Sequence, residues 1–264
     1  MRTTSTKHTP ASAFAILMIF AFVPNSLSQN PAVSVPLTGA SSLNVAEIVA
    51  QMELRNESRA AALQGYTARR VYHLNYHGLP KNIDAELTVE ACYRAPSTKE
   101  FTVISQSGSK VVVDKVLKRL LKEEQEAQNS ENQQQTALTP RNYDFELAGE
   151  EKTEEGRFYI LKVQPKGRNK FLYRGEIWVD ANDFAIRRVE AEPAQNPSIL
   201  ISHAQIEQIY ARFGSFWLPV RNQSTSKVRL GGTATLVIEY ENYDVRQRCA
   251  RKTQPTLAEA GKTD

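Results

Sequence analysis

The sequence predicts a single α+β domain with about ten antiparallel strands and two helices. Through most of the chain after residue 65, apolar residues alternate with polar ones, which is typical of half-buried antiparallel strands. Two other segments have apolar residues at the i, i+3, i+4, i+7 spacing of an amphipathic helix. The chain has 264 residues, of which 41% are apolar and 23% charged, so it is able to bury a sizeable core.

The first helix is predicted to begin at a capping box. Asn44 is followed three residues later by Glu47, so each side chain is able to bond to the other residue's backbone N–H. The helix should run to about Leu63 and stop at Gly65. Its apolar stripe consists of Val45, Ile48, Val49 and Met52.

The ten strand candidates follow from the alternation and from the turn residues between them. Three precede the second helix, at 66–76, 85–94 and 100–105. The first of these places Tyr66, Ala68, Tyr72, Leu74 and Tyr76 on one face, and the second places Ala85, Leu87, Val89, Ala91 and Tyr93 on one face. The other seven form a meander at 143–147, 157–164, 171–180, 184–192, 205–213, 216–230 and 233–245.

The second helix interrupts this pattern between the third and fourth strands. Ser109 is its predicted N-cap, and the helix should extend from residue 110 to residue 128. Its apolar stripe consists of Val113, Val116, Leu117, Leu120 and Leu121. Acids and bases alternate on its other face, which indicates a solvated surface and not one for lipid headgroups or nucleic acid. The Gln- and Asn-rich stretch from 128 to 139 is predicted to be a mobile loop.

The N-terminus has the three regions of a secretory signal peptide. Arg2 and Lys7 precede an apolar run from 11 to 23, and the small residues Ser26 and Ser28 precede Gln29. A run of 13 residues is shorter than the roughly 20 that a membrane-spanning helix needs. We therefore expect cleavage near Ser28 and a periplasmic mature protein.

The chain then divides into four parts. Residues 1–28 form the signal peptide, 29–42 a flexible N-terminus, 43–246 the folded domain and 247–264 a polar tail. The formal net charge is +4, of which the signal peptide accounts for two charges. The small remaining charge is a weak basis for nucleic-acid binding, so no nucleic-acid partner is expected.

Cys92 and Cys249 are the only cysteines of the chain. Export would place them in a compartment where disulfides persist, and they would have one possible intramolecular pairing. The alternative is that both are small buried apolar residues, since sequence does not give the Cα separation that decides the pairing. Cys92 and Cys249 are therefore a candidate disulfide.

No catalytic or metal-binding motif is present in the sequence. It contains no GxSxG, HExxH, GxGxxG or Walker pattern. His73 and His77 would lie about 13 Å apart on one strand, which is too far for a shared metal ion. His203 has Ser202 and Glu207 nearby, but a Ser–His pair without a positioned third member is a weak catalytic signal. We expect a protein without enzymatic activity, cofactor or metal.

The order of these elements resembles the LolA-like superfamily of periplasmic lipoprotein-localisation carriers. The resemblance covers roughly residues 43–246 and depends on the order of elements more than on any single motif. It includes the strand ending Tyr93-Arg94-Ala95-Pro96 and the apolar helix after Ser107-Gly108-Ser109. It also includes the segments Gly175-Glu176-Ile177-Trp178-Val179-Asp180, Trp217-Leu218-Pro219-Val220-Arg221 and Leu236-Val237-Ile238-Glu239-Tyr240-Glu241-Asn242-Tyr243-Asp244.

The resemblance implies a half-open antiparallel β-barrel whose helices form a lid over an apolar face. Such a protein shields a lipid or the acyl chains of a lipoprotein from water, as a monomeric chaperone in outer-membrane biogenesis. The family's arginine that ties the lid to the sheet precedes a proline and would fall on Arg94, although Ala95 intervenes here. Arg70 is the second candidate by alternation. The other expected ligand contacts are Tyr72, Leu74, Leu117, Leu120 and Trp178.

A second functional class shares this half-barrel. It comprises envelope-stress regulators, which bind a membrane-anchored protein partner and release it on sensing lipids or misfolded outer-membrane proteins. The helix from 110 to 128 and its polar loop are larger than the corresponding region of the carriers, which leaves open a different lid, client or membrane partner. The carrier is the first interpretation and the regulatory interaction protein is the alternative.

Overall fold

The computed structural model describes residues 43–128, 130–169, 171–196, 201–229 and 231–245. The predicted signal peptide, the flexible N-terminus and the polar tail, which includes Cys249, lie outside the described residues.

Helix α1, Val45–Ala62, begins at the predicted capping box. The Asn44 side chain accepts a hydrogen bond from the Glu47 backbone N–H, and the Glu47 side chain accepts one from the Asn44 backbone N–H. Burial of Ile48, Val49 and Met52 confirms most of the predicted stripe. The local sequence therefore sets both where this helix starts and which face is buried.

The structure confirms an α+β fold with ten antiparallel strands. They are β1 Gly65–Gly78, β2 Ile83–Arg94, β3 Thr98–Gly108, β4 Tyr143–Thr153, β5 Gly156–Pro165, β6 Tyr173–Asp180, β7 Ile186–Pro193, β8 Ile201–Phe213, β9 Phe216–Val228 and β10 Gly232–Asp244. They form one sheet in the order β3-β2-β1-β10-β9-β8-β7-β6-β5-β4. Because β3 and β4 end this order, the sheet is an open one within the described residues and not a closed barrel.

The second helix is less regular than its apolar stripe predicts. It consists of α2, Lys110–Val112, a π-helical turn, Val113–Leu117, and α3, Lys118–Ala127. We call residues 110–127 the cover helix. Ser109 occupies the predicted N-cap position, but its side chain makes no capping hydrogen bond. The predicted mobile loop contains a further helix, α4, Ser130–Thr136, which polar composition alone did not indicate.

Two separate apolar clusters lie on one face of the sheet, which we call the inner face. The first joins α1 to β4, β5, β6, β7 and β8, and the second joins the cover helix to β1, β2 and β10. Ile206 of the first cluster and Leu236 of the second are both paired with Ser224 of β9, so they project to the same side. The two helices therefore cover different halves of the same face.

Candidate functional site

The half of the inner face under the cover helix brings together four of the predicted ligand contacts. Tyr72 and Leu74 of β1 and Leu117 and Leu120 of the cover helix belong to the second cluster, and each is buried. Alternation places the β1 residues on the inner face, and the helical spacing turns the cover-helix residues toward them. The packing of an amphipathic helix on this apolar sheet surface defines the candidate site.

A buried ionic cluster joins the cover helix to the sheet at this site. Arg70 of β1 is only 1% exposed and points to the inner face, whereas Glu124 of α3 is 3% exposed. One Arg70 nitrogen, Nη1, lies 2.9 and 2.8 Å from the two Glu124 carboxylate oxygens. Lys99 of β3 donates a third hydrogen bond to Glu124, at 2.6 Å. The Glu124 carboxylate therefore links α3 to both β1 and β3.

The charges in this cluster stabilise one another. Burial alone would raise the pKa of Glu124, but Arg70 and Lys99 outweigh it and lower this pKa to about 2. Burial likewise opposes the charge on Arg70, yet Glu124 keeps the pKa of Arg70 well above its usual value. The guanidinium also lies 5.3 Å from the Phe101 ring centroid and 4.8 Å from that of Tyr240. Both partners are therefore ionised at neutral pH.

Of the two arginines predicted to tie the lid to the sheet, Arg70 is the one that contacts the cover helix. Arg94, the other candidate, lies at the end of β2 and pairs with Glu100 of β3 across the hairpin. Sequence reasoning missed Glu124 and Lys99. Glu124 was detectable, because it continues the apolar stripe at i+4 from Leu120, where a charged residue needs a buried partner.

Trp178 lies on the opposite face of the sheet from the cover helix. Its neighbours in the strand, Ile177 and Val179, belong to the first apolar cluster, so alternation directs the indole outward. Its Nε1–H donates to Glu151 at 2.6 Å, and the Arg188 guanidinium lies 4.5 Å from the ring centroid. The structure therefore does not place Trp178 with the other predicted ligand contacts.

Cys92 takes part in a disulfide in the structure. It lies on β2, two residues before the end of the strand. The chain has one other cysteine, Cys249, which lies outside the described residues, so the pairing of the two stays a prediction.

The outer face is a poor surface for a hydrophobic ligand. It carries an open groove of about 610 Å³ across β5 to β9, and charged side chains from several strands line it. Glu176, Glu190 and Glu207 follow one another across neighbouring strands in this groove, with Lys162 and Arg174 beside them. An apolar ligand would have to desolvate these charges, which favours the inner face.

The centre of the inner face, between the two apolar clusters, is polar. Gln208 of β8 and Asn222, Ser224 and Ser226 of β9 are buried there, and we call these four residues the central seam. None of them belongs to either apolar cluster. A stripe of buried polar side chains thus separates the apolar surface under the cover helix from the apolar surface under α1.

A glycine turn connects β3 to the cover helix. Gly108 has a φ of 78°, and a Cβ at this position would lie 2.3 Å from the Asp84 carbonyl oxygen. Glycine is therefore required where the chain leaves the sheet and enters the helix.

Among the described residues, no group of three or more His, Cys, Asp or Glu side chains is arranged to hold a metal ion. Within the same part of the chain, no helix combines the length and the apolar character needed to span a membrane.

The fold and this face define an open antiparallel half-barrel of the α+β class. Residues 135–243 match a family of unknown function, DUF5686. No curated protein sequence matches the chain. The solved structures to which it is similar include a LolA superfamily protein, NE2245 from Nitrosomonas europaea, with 9% identity, a TM-score of 0.35, and coverage of 79% of this chain and 96% of that one.

Two further solved structures are similar to the chain. A putative outer membrane lipoprotein-sorting protein domain from Vibrio parahaemolyticus has 10% identity and a TM-score of 0.38, with coverage of 74% of this chain and 91% of that one. The Pseudomonas aeruginosa MucA/MucB complex has 10% identity and a TM-score of 0.23, with coverage of 73% of this chain and 93% of that one. The superfamily that the sequence resembles is thus represented among these structures.

Proposed function

We propose that this protein is a periplasmic carrier that binds a lipid, or the acyl chains of a lipoprotein, on the inner face of its open sheet. The cover helix is the lid of this site. The observation that carries the proposal is that an amphipathic helix, held by one buried ionic cluster, covers an apolar sheet surface of its own. Displacement of the helix would expose that surface to an acyl chain.

The energies of helix docking and of acyl binding are similar in size. Five large apolar side chains of the cover helix are buried, and each contributes about 1.5 to 3 kcal/mol, or roughly 7 to 15 kcal/mol together. A sixteen-carbon chain contributes about 12 kcal/mol at about 0.8 kcal/mol per buried CH₂. Because the hydrophobic effect is non-directional, an acyl chain that enters between the helix and the sheet is able to replace the apolar burial that the two provide for each other.

The experiment changes the lid and leaves the first apolar cluster intact. Replacing Leu117 and Leu120 with Ser removes two side chains that are fully buried under the cover helix. We expect binding of a fluorescent fatty-acid probe to weaken, because the lid then has two fewer apolar side chains to contact the bound acyl chain. The melting temperature should stay nearly unchanged, because α1 and β4 to β8 have their own core. The matched control is Leu161→Ser, in the first cluster, which should lower the melting temperature strongly.

Two results would contradict the proposal. One is a wild-type protein that neither binds an acyl probe nor copurifies with lipid. The other is a double variant that melts many degrees lower with no saturable probe binding to lose, which would show that the helix only caps the core.

A regulatory interaction protein is the second candidate, and one surface favours it. Strand β3 ends the sheet within the described residues, and Val103 and Ile104 on it are 45% and 55% exposed. A membrane-anchored partner would be able to add a strand at such an edge. Native mass spectrometry of the protein purified from its own periplasm distinguishes the two, because the carrier predicts bound lipid and the regulator predicts bound protein.

A further inference from the structure

The central seam contains two buried polar groups that have no hydrogen-bond partner in the structure. The Asn222 side chain is 1% exposed and its Nδ2 donor is unpartnered, whereas the Gln208 side chain is 3% exposed and its Oε1 acceptor is unpartnered. The two residues are paired across β8 and β9. Buried polar groups are nearly always hydrogen-bonded, so a neighbouring donor and acceptor that are both unsatisfied indicate a missing partner.

The surroundings of this pair are apolar on both sides. In the same row across the sheet, Val189 of the first cluster is paired with Gln208, and Ile238 of the second is paired with Asn222. Both of these apolar residues are fully buried. The donor and acceptor thus form a narrow polar site between two apolar surfaces.

Small side chains lie beside the pair along the same strands. Ser226 of β9 is flanked by Ala204 of β8 and Ala234 of β10, and Ser224 lies between Ser226 and Asn222 on the same side of β9. All of these residues are buried on the inner face. Among the described residues of β8 and β9 that are buried on the inner face, none is charged. A neutral polar group therefore suits this site better than a phosphate or a carboxylate, whose charge would be buried without a counter-charge.

We propose that the central seam binds a secondary amide that lies within, or at the head of, a long-chain amphiphile. The amide carbonyl accepts a hydrogen bond from Asn222 Nδ2, and the amide N–H donates one to Gln208 Oε1. Alkyl parts of the ligand then lie against the apolar clusters on either side. This inference rests on the proposed function and adds to it the chemical class of the ligand's polar group.

The test compares two competitors in which an amide N–H is replaced by an ester oxygen. N-Methylhexadecanamide and methyl hexadecanoate have the same chain length, but the ester lacks the N–H. We measure how well each displaces the fluorescent fatty-acid probe from the wild-type protein. The amide should compete about tenfold more tightly, as expected for one additional satisfied hydrogen bond in a buried site.

The variants remove the polar atoms and keep the shapes of the side chains. Gln208→Met combined with Asn222→Leu should reduce the preference for the amide to about one, because neither competitor then has a hydrogen-bond partner in the site. The matched control is Gln205→Met with Thr225→Val, a pair in register on the outer face of the same two strands. The control should keep the tenfold preference.

The possible results separate this inference from the proposed function. Equal competition by amide and ester in the wild type, or a preference that survives in the double variant, would overturn the amide site and leave the carrier intact. Failure of the probe itself to bind would overturn both. Since the wild-type comparison needs no substitution, the inference stays testable even where the double variant does not fold.

Discussion

Replacement of Glu124 by Gln tests whether the buried ionic cluster holds the cover helix on the sheet. The substitution keeps the side-chain shape but leaves Arg70 and Lys99 buried without a negative charge. The pKa of Glu124 is lowered from 4.5 to about 2, which corresponds to about 3 kcal/mol of stabilisation of the ionised form. Breaking a buried ion pair by removing one partner costs a similar amount, about 3 to 5 kcal/mol.

Hydrogen exchange with mass spectrometry measures the effect where it should occur. If the free energy of opening the cover helix falls by about 3 kcal/mol, the open state is populated about 100-fold more. Amides of residues 118–127 should therefore exchange about 100-fold faster in the variant. Amides of β5 to β7, which belong to the first apolar cluster, should change much less.

The control is the same substitution at the preceding position. Glu123 pairs with Arg119 one turn away at 3.0 Å, and the Arg119 and Glu123 side chains are 46% and 14% exposed, against 2% and 4% for Arg70 and Glu124. Glu123→Gln should cost about 0.5 kcal/mol or less, because such helix-surface pairs contribute little. Two results would refute the interpretation of the cover helix as a lid that opens separately. One is equal exchange rates of the cover helix in the Glu123→Gln and Glu124→Gln variants. The other is exchange that is uniformly faster in every strand of the Glu124→Gln variant.

Three further predictions concern pH, oxidation and processing. The folded-state pKa of Glu124 lies below its ordinary value, so its contribution to stability is present above about pH 4.5 and is lost as the pH falls toward 2. Acid titration should therefore open the cover helix of the wild-type protein and affect that of the Glu124→Gln variant less. Cys92 and Cys249 should be oxidised to each other in the native protein, which thiol labelling under denaturing, non-reducing conditions checks by finding no free thiol. The mature protein should begin at about Gln29, and N-terminal sequencing that finds an intact Met1 on a membrane-embedded product would contradict this.

Local sequence determined the elements of this fold because its periodicities are short-ranged. The capping box at Asn44 predicted where α1 begins, and the apolar stripes of α1 and the cover helix predicted the faces that are buried in the structure. Alternation predicted each of the ten strands, with ends that differ by a few residues. The largest difference is β4, which was expected to end at residue 147 and continues to Thr153, since its second half is mostly exposed and has no apolar alternation to detect.

The site depended on contacts that only the tertiary structure specifies. Alternation directed Arg70 to the same face as Tyr72, but nothing near it in sequence showed that Glu124, on a helix 54 residues away, would neutralise it. The central seam was likewise not predictable from local sequence, because the register between β8 and β9 places Gln208 opposite Asn222. For Trp178 the sequence resemblance was misleading. The segment 175–180 resembles the carriers, but the Trp178 indole lies on the outer face, away from the other predicted ligand contacts. Periodicity decides which side of a strand a residue occupies, whereas strand register and helix docking decide which charges and hydrogen-bonding groups meet there.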